Sequence, residues 1–228
     1  MVLLILGVES SAVSASAAVY EDEKMLSSKF INAGLTHSQT LLPLIVDALK
    51  SANKSFDDIE KIAVSVGPGS FTGVRIGVAT VKGIAFKKNI PCVAVSALEA
   101  IANNDFFEEG AVICACMDAR RNQFYNALFK INDGKVSRIT PDRAIDIMQI
   151  KSDTEKFDKV IVAGDGAELA YKTLQSDNVF LADETSRFQN ADGVIRASFG
   201  KQTVLPEELM PVYLRLSQAE RELKLKKG

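Results

Sequence analysis

Val2 to Val8 is a nearly continuous apolar run, the pattern of a strand buried on both faces. Val13 to Tyr20 alternates small, polar and apolar residues, and Leu26 to Ile31 follows across the acidic turn Glu21-Asp22-Glu23, so three successive strands joined by short turns are expected. The period then changes. From Ser38 to Ala52, Leu41, Leu42, Ile45, Val46 and Leu49 recur at helical spacing, with Pro43 expected within the first turn. Ile62 to Val66 reads as a buried strand, Gly67-Pro68-Gly69-Ser70 as a tight turn, Thr72 to Lys88 as a helix and Pro91 to Val95 as a short strand. Ser96 caps a further helix ending near Asn103. Strands alternating with helices imply parallel pairing with helices on the sheet faces, an α/β arrangement.

A polar break at Asn103-Asn104-Asp105 divides the chain into an expected N-terminal lobe, 1–103, and a shorter C-terminal lobe, 104–228. Ala111 to Met117 and Gln123 to Ile131 read as strands, with the turn dipeptide Asp133-Gly134 leading into Lys135 to Ile139. Ala144 to Ile150 is expected to be a short helix and Lys159 to Ala163 a strand. Gly164-Asp165-Gly166 then opens the helix Ala167 to Leu174. The order of elements in the first half thus returns in shortened form without sequence repetition. The charged segment Gln218 to Lys227 reads as a solvated terminal helix or tail.

Composition narrows the function. Across 228 residues, 27 Lys and Arg face 29 Asp and Glu, a net charge of −2 that argues against a basic nucleic-acid coat protein. Hydrophobic residues at 47% and charged residues at 25% suit a folded chain with a core. No apolar run approaches the ~20 residues that span a bilayer, and no basic residue precedes the first apolar run as in a signal peptide, so a cytoplasmic protein is expected. Cys114 and Cys116, two apart in a strand, share a face and read as core thiols. A single histidine, His37, excludes any mechanism that needs two, and its place before a helix favours a capping or surface role.

Five groups of residues carry candidate chemistry or docking surface. The turn Gly67-Pro68-Gly69-Ser70 between a strand and a helix can present N–H groups to an anion, yet it is neither a P-loop nor a dinucleotide fingerprint. In the helix that follows, Gly73, Gly77 and Thr80 form one stripe, flanked by Val74, Val78, Val81 and Ala85. Interior glycine costs about 1 kcal/mol relative to alanine, so something approaches this backbone closely: the helix's own sheet or a partner subunit. Glu9-Ser10-Ser11 and Gly164-Asp165-Gly166 read as turns or as phosphate and nucleoside contacts. Arg120 and Arg121, in Asp118 to Gln123, form an exposed charged turn that suits carboxylate or phosphate.

Five stretches, Leu3 to Ser11, Thr36 to Pro43, Gly67 to Gly77, Met117 to Asn122 and Pro211 to Arg215, closely resemble the TsaB (YeaZ) proteins of bacteria, in order and over essentially the whole chain. The resemblance implies an actin-like ATPase (ASKHA) fold of two tandem ribonuclease-H-like lobes. It implies work in threonylcarbamoylation of the adenosine beside the anticodon of tRNAs reading ANN codons. In that family TsaB is a non-catalytic partner and activator of TsaD, with TsaE as the ATPase and TsaC supplying threonylcarbamoyl-adenylate. TsaD proteins bind metal through two histidines separated by three residues; here the companion of His37 is Leu41, so no metal site is expected. The family usually has Asp where Glu9 stands, which counts against ATP turnover by this chain alone.

The expected partner surface, from helices at about 38–52 and 72–88, comprises Leu41, Leu42, Ile45, Phe71, Gly73, Val74, Gly77, Val78, Thr80 and Val81. It would pair with TsaD, or with a second copy when TsaD is absent. Candidate nucleotide or anion contacts are Glu9, Ser10, Ser11, Gly67, Gly69, Ser70, Gly164 and Gly166, for ATP or ADP held weakly or at the interface, with no cofactor required. Arg120 and Arg121, with Arg221, Lys224, Lys226 and Lys227 of the tail, are candidate tRNA contacts through the assembled complex. A small-molecule kinase of the actin-like superfamily and a glycoprotease-like peptidase are the alternatives. Neither has a defensible residue set.

Overall fold

The structure, a computed structural model, describes residues 3–215 except 33, 35, 105 and 106, so the charged tail and its four basic candidates lie outside the described residues. In the first lobe β1 (Leu4–Glu9), β2 (Ala15–Glu21) and β3 (Lys24–Ile31) form an antiparallel meander. The chain continues through α1 (His37–Ser51), β4 (Lys61–Ser65), α2 (Phe71–Phe86), β5 (Cys92–Val95) and α3 (Ala97–Ala102). β4 joins β1 in parallel and β5 joins β4, giving the order β3-β2-β1-β4-β5.

The second lobe repeats this topology. It contains β6 (Val112–Asp118), β7 (Gln123–Asn132), β8 (Lys135–Arg138), β9 (Arg143–Asp146), α4 (Ile147–Thr154), β10 (Val160–Ala163), α5 (Ala167–Leu174) and β11 (Val179–Leu181). The antiparallel set β6-β7-β8 and the parallel set β6-β10-β11 reproduce the first sheet strand for strand, with β9 added beside β7. Two sheets of this order, each flanked by helices, make an α/β molecule with the actin-like ATPase fold.

Each lobe is built by one-sided burial. α1 turns Leu41, Leu44, Ile45, Ala48 and Leu49 onto the sheet, and α2 turns Gly73, Val74, Gly77, Val78, Val81 and Ala85 the same way. Pro43, expected in the first turn, lies in the second, because α1 begins at His37; it faces solvent. The helices that follow each lobe's parallel strands are exchanged. α3 packs Ala97, Leu98, Ile101 and Ala102 into the core beneath the second sheet. After α6 (Glu184–Arg187), α7 (Ala191–Ser198) returns to the first sheet, burying Val194 and Ile195 against Ile5, Tyr20, Ala63 and Val93. α3 and α7 cross closely: a Cβ on Gly193 would lie 2.2 Å from the Ala100 carbonyl oxygen.

The chain then forms a strap over the first lobe. Val204 exchanges two backbone hydrogen bonds with Cys92, at 2.8 and 2.9 Å, and the Val212 N–H donates to the Val66 carbonyl at 2.7 Å. Among the described residues no helix is long and apolar enough to cross a membrane.

Two further expectations need correction. Ala144 to Ile150, expected as a helix, is divided: Arg143–Asp146 pairs with β7, and the Asp146 side chain accepts from the Gln149 N–H at 3.0 Å to start α4. The pairing claims residues whose short apolar spacing fits either state. The expected partner surface is also largely internal. Leu41, Ile45, Gly73, Val74, Gly77, Val78 and Val81 are buried against their own sheet and the β1–β2 turn, because the glycine stripe is the side on which α2 meets Ser10. A Cβ on Gly73 would lie 2.2 Å from the Ser10 carbonyl oxygen, and one on Gly77 2.4 Å from its hydroxyl. Cys114 and Cys116 are buried with sulfurs 3.5 Å apart, on one face of β6 as expected.

Candidate functional site

A cleft of about 680 Å³ opens where the β1–β2 and β6–β7 turns face the starts of α2 and α5. Its walls repeat the internal duplication. Glu9 ends β1 and accepts the Ser11 N–H at 2.5 Å; Asp118 ends β6 and accepts the Arg120 N–H at 2.7 Å. In both hairpins the carboxylate fixes a turn by binding the amide two residues on. The turns after β4 and β10 correspond as well, since Gly67 and Gly164 both take φ +110, open to glycine and strained for other residues.

The carboxyl groups differ in environment. Glu9 is fully buried, and burial pushes its carboxyl above the ordinary range, against the lowering by the Ser11 hydroxyl and N–H and by Ser65; Asp165 raises it further. Among the described residues none reaches the Glu9 Oε2 or the buried hydroxyls of Ser11, Ser14 and Ser65 at full hydrogen-bond geometry, so the nearby Ser11 and Ser65 hydroxyls offset the burial only in part. Asp165 lines the cleft. Burial lifts its carboxyl to about 6, helped by Asp118 and opposed by the Gln189 amide, which donates to it at 2.9 Å, and by Arg120. Arg120 also pairs with Asp118 at 3.1 Å.

The cleft takes in some of the sequence candidates and leaves out others. Ser11, Gly69, Ser70, Arg120 and Arg121 line it. Glu9 and Ser10 do not: both are buried, and the Ser10 hydroxyl donates to the Gly73 carbonyl at 3.0 Å. Gly67, Gly164 and Gly166 serve backbone packing rather than an open anion cradle. A Cβ on them would lie 2.5 Å from Val212 O, 2.0 Å from Cys116 O and 2.7 Å from the Asp118 nitrogen. Sequence reasoning missed Asp165, Tyr125 and Arg215 in the cleft wall. Asp165 and Arg215 stood in stretches already noted, the Gly164 turn and Pro211 to Arg215, without a site role; nothing local marks Tyr125.

Chemically, the cleft can bind an anion on its arginine side and take up a proton at Asp165. A nucleotide would find Ser70 and the two arginines, but neither the Glu9 carboxylate nor the Ser11 hydroxyl, both of which are buried. Among the described residues no group of three or more His, Cys, Asp or Glu side chains is placed to hold a metal ion. His37 begins α1 with Nε2 2.7 Å from the Ala12 carbonyl, tying the helix to the β1–β2 turn, and Leu41 one turn on is in the core. His37 therefore acts as a brace.

Beyond Thr72, which lines the cleft mouth, α2 exposes Arg75, Ala79, Gly83 and Phe86, with Ile76, Thr80 and Lys82 half-buried and Leu42 of α1 about half exposed. Phe86, at 77% exposed, is the most exposed large apolar residue described. Of the expected partner residues, Leu42, Phe71 and Thr80 retain exposed surface.

With this geometry the comparisons agree. A family model described as TsaD, tRNA N6-adenosine threonylcarbamoyltransferase, matches residues 32–220. The chain is 28% identical to the tRNA threonylcarbamoyladenosine biosynthesis protein TsaB of Bacillus subtilis over 96% of each chain. It is 32% identical to Escherichia coli TsaB over 58% of this chain and 57% of that one. The solved structure of YeaZ from Pseudomonas aeruginosa superposes with a TM-score of 0.77 at 26% identity, covering 93% of this chain and 100% of the other. The duplicated sheets, the paired hairpin turns and these matches together show that the chain belongs to the TsaD family, on its TsaB (YeaZ) branch.

Proposed function

We propose that this chain serves the biosynthesis of threonylcarbamoyladenosine in tRNA as a subunit that binds and activates the transferase TsaD without performing the transfer itself. The observation that carries this reading is the outward side of α2. The exposed residues of α2 are Thr72, Arg75, Ala79, Gly83 and Phe86; with Arg75 held by the Tyr213 hydroxyl, the others and the half-exposed Leu42 of α1 offer small residues and one aromatic anchor to another helix pair. Because the TsaD family model covers most of this chain, the related lobe of TsaD is the complementary surface proposed. A second copy of the chain would use the same side when TsaD is absent. Activation follows if the complex favours the TsaD conformation competent for transfer.

In this reading TsaE joins the larger assembly, tRNA is met only through the complex, with Arg120 and Arg121 at its phosphates, and the work is cytoplasmic. No cofactor of its own is required; ATP or ADP is held weakly or at the joint with TsaD. The test combines complex formation with reconstituted tRNA modification. Ala79→Arg and Phe86→Asp should weaken association with TsaD at least about tenfold and lower modification in parallel, with an unchanged melting temperature. Full modification without this chain would refute the role, and calorimetry showing tight ATP binding with turnover would favour the kinase alternative.

A further inference from the structure

The strap does more than cover α2. After Val212 binds Val66, Tyr213 stacks on Phe71, the first residue of α2, with ring centroids 4.4 Å apart and planes within 10°. The Arg75 Nε donates to the Tyr213 hydroxyl at 2.8 Å, and its guanidinium lies 5.5 Å from the Tyr213 ring centroid. Arg215 then crosses to the other lobe, where its Nη1 donates to the Ala119 carbonyl at 2.6 Å. Arg215 and Ala119 both line the cleft. A charge-assisted hydrogen bond thereby ties the strap to the β6–β7 turn, beside the apolar packing of Ala12 and Leu214 with the cluster that holds Ala119.

The receiving turn is itself unusual. Arg120, Arg121 and Asn122 are three consecutive non-glycine residues in the left-handed region, at φ 64, 56 and 56. Such a run is unfavourable for L-residues with side chains and persists only where its surroundings hold it. Asp118 holds it from within its own hairpin, and Arg215 holds it from the other lobe. Gly67 marks how tightly the strap passes the α2 turn, since a Cβ there would be 2.5 Å from the Val212 oxygen.

We propose that the strap from Val204 to Arg215 is a latch across the cleft mouth: Arg215 clips the lobes together through Ala119, and its release widens the cleft and loosens the Ala119–Asn122 turn. The crossed pair α3 and α7 joins the lobes independently of the strap and acts as the pivot. The latch is a property of the isolated chain and stands apart from the choice of partner.

The experiment measures an inter-lobe distance by pulsed electron resonance on the full chain, with spin labels at Lys50→Cys and Glu155→Cys, both exposed. The native cysteines are buried and remain unlabelled. Arg215→Ala should lengthen and broaden the distance distribution and speed amide exchange over residues 117–123 about tenfold, leaving α1 unchanged. Tyr213→Ala should do the same by releasing the strap one step earlier. An unchanged distance and unchanged exchange in folded Arg215→Ala overturns the latch. So does a change confined to the first turn of α2, which would make the strap only a cover.

Discussion

Asp165 is the residue whose surroundings make the sharpest demand on solution behaviour. Burial lifts its carboxyl from 3.8 to about 6, so between those values the folded chain binds more protons than the unfolded one. Unfolding free energy therefore falls as pH rises through this window and is level above it. Asp165→Asn keeps an oxygen for the Gln189 amide and removes the penalty. The variant should match the parent near pH 4 and exceed it by on the order of 1 kcal/mol at pH 7.5, the figure being reduced because the side chain opens to cleft water. Urea unfolding across the pH range measures this; parallel curves would disprove the burial. The Gly164-Asp165-Gly166 turn was legible in the sequence, but the acid's altered chemistry was not, because Gln189, Asp118 and Arg120 reach it from other elements.

At the scale of the element, α2 shows what periodicity can and cannot say. Its small and apolar stripe was readable, and the stripe is real. Which body lies against it was left open between sheet and partner, and the answer is Ser10 of the same chain. The two kinds of glycine should separate in stability measurements. Gly73→Ala brings a Cβ to 2.2 Å from a carbonyl oxygen that cannot rotate away, and should cost about 2–4 kcal/mol. Gly83→Ala meets nothing within 4 Å on an exposed helical turn and should gain up to about 1 kcal/mol. Equal effects at the two positions would mean the helix is not seated as described. β9 and α4 were confused because eight or so residues of mixed pattern fit either state, and only pairing with β7 selects the strand.

Across the whole molecule the exchanged helices decide the cooperativity. The break near Asn103 marks where the chain leaves the first sheet, yet that sheet is finished by α7 and by the strap, both from beyond residue 190. A fragment of residues 1–103 lacks the cover over Ile5, Tyr20, Ala63 and Val93 and should not fold alone. The full chain should unfold in one transition with coincident far-ultraviolet and tyrosine signals. A fragment with dispersed amide resonances and a cooperative melt would show the lobes to be independent.

The sequence by itself determined the elements of the first half and most of those of the second as far as α5, the α/β class, the doubled order and the family, because these rest on local period, turn chemistry and contiguous motifs; β9, β11, α6 and α7 were not read from it. Only the tertiary structure decided that the glycines face inward, that α3 and α7 change lobes, and that Glu9 is sealed while Asp165, Tyr125 and Arg215 share a cleft. Those outcomes depend on which distant segments come to lie together, and a period along the chain gives the face an element must bury without naming what will bury it.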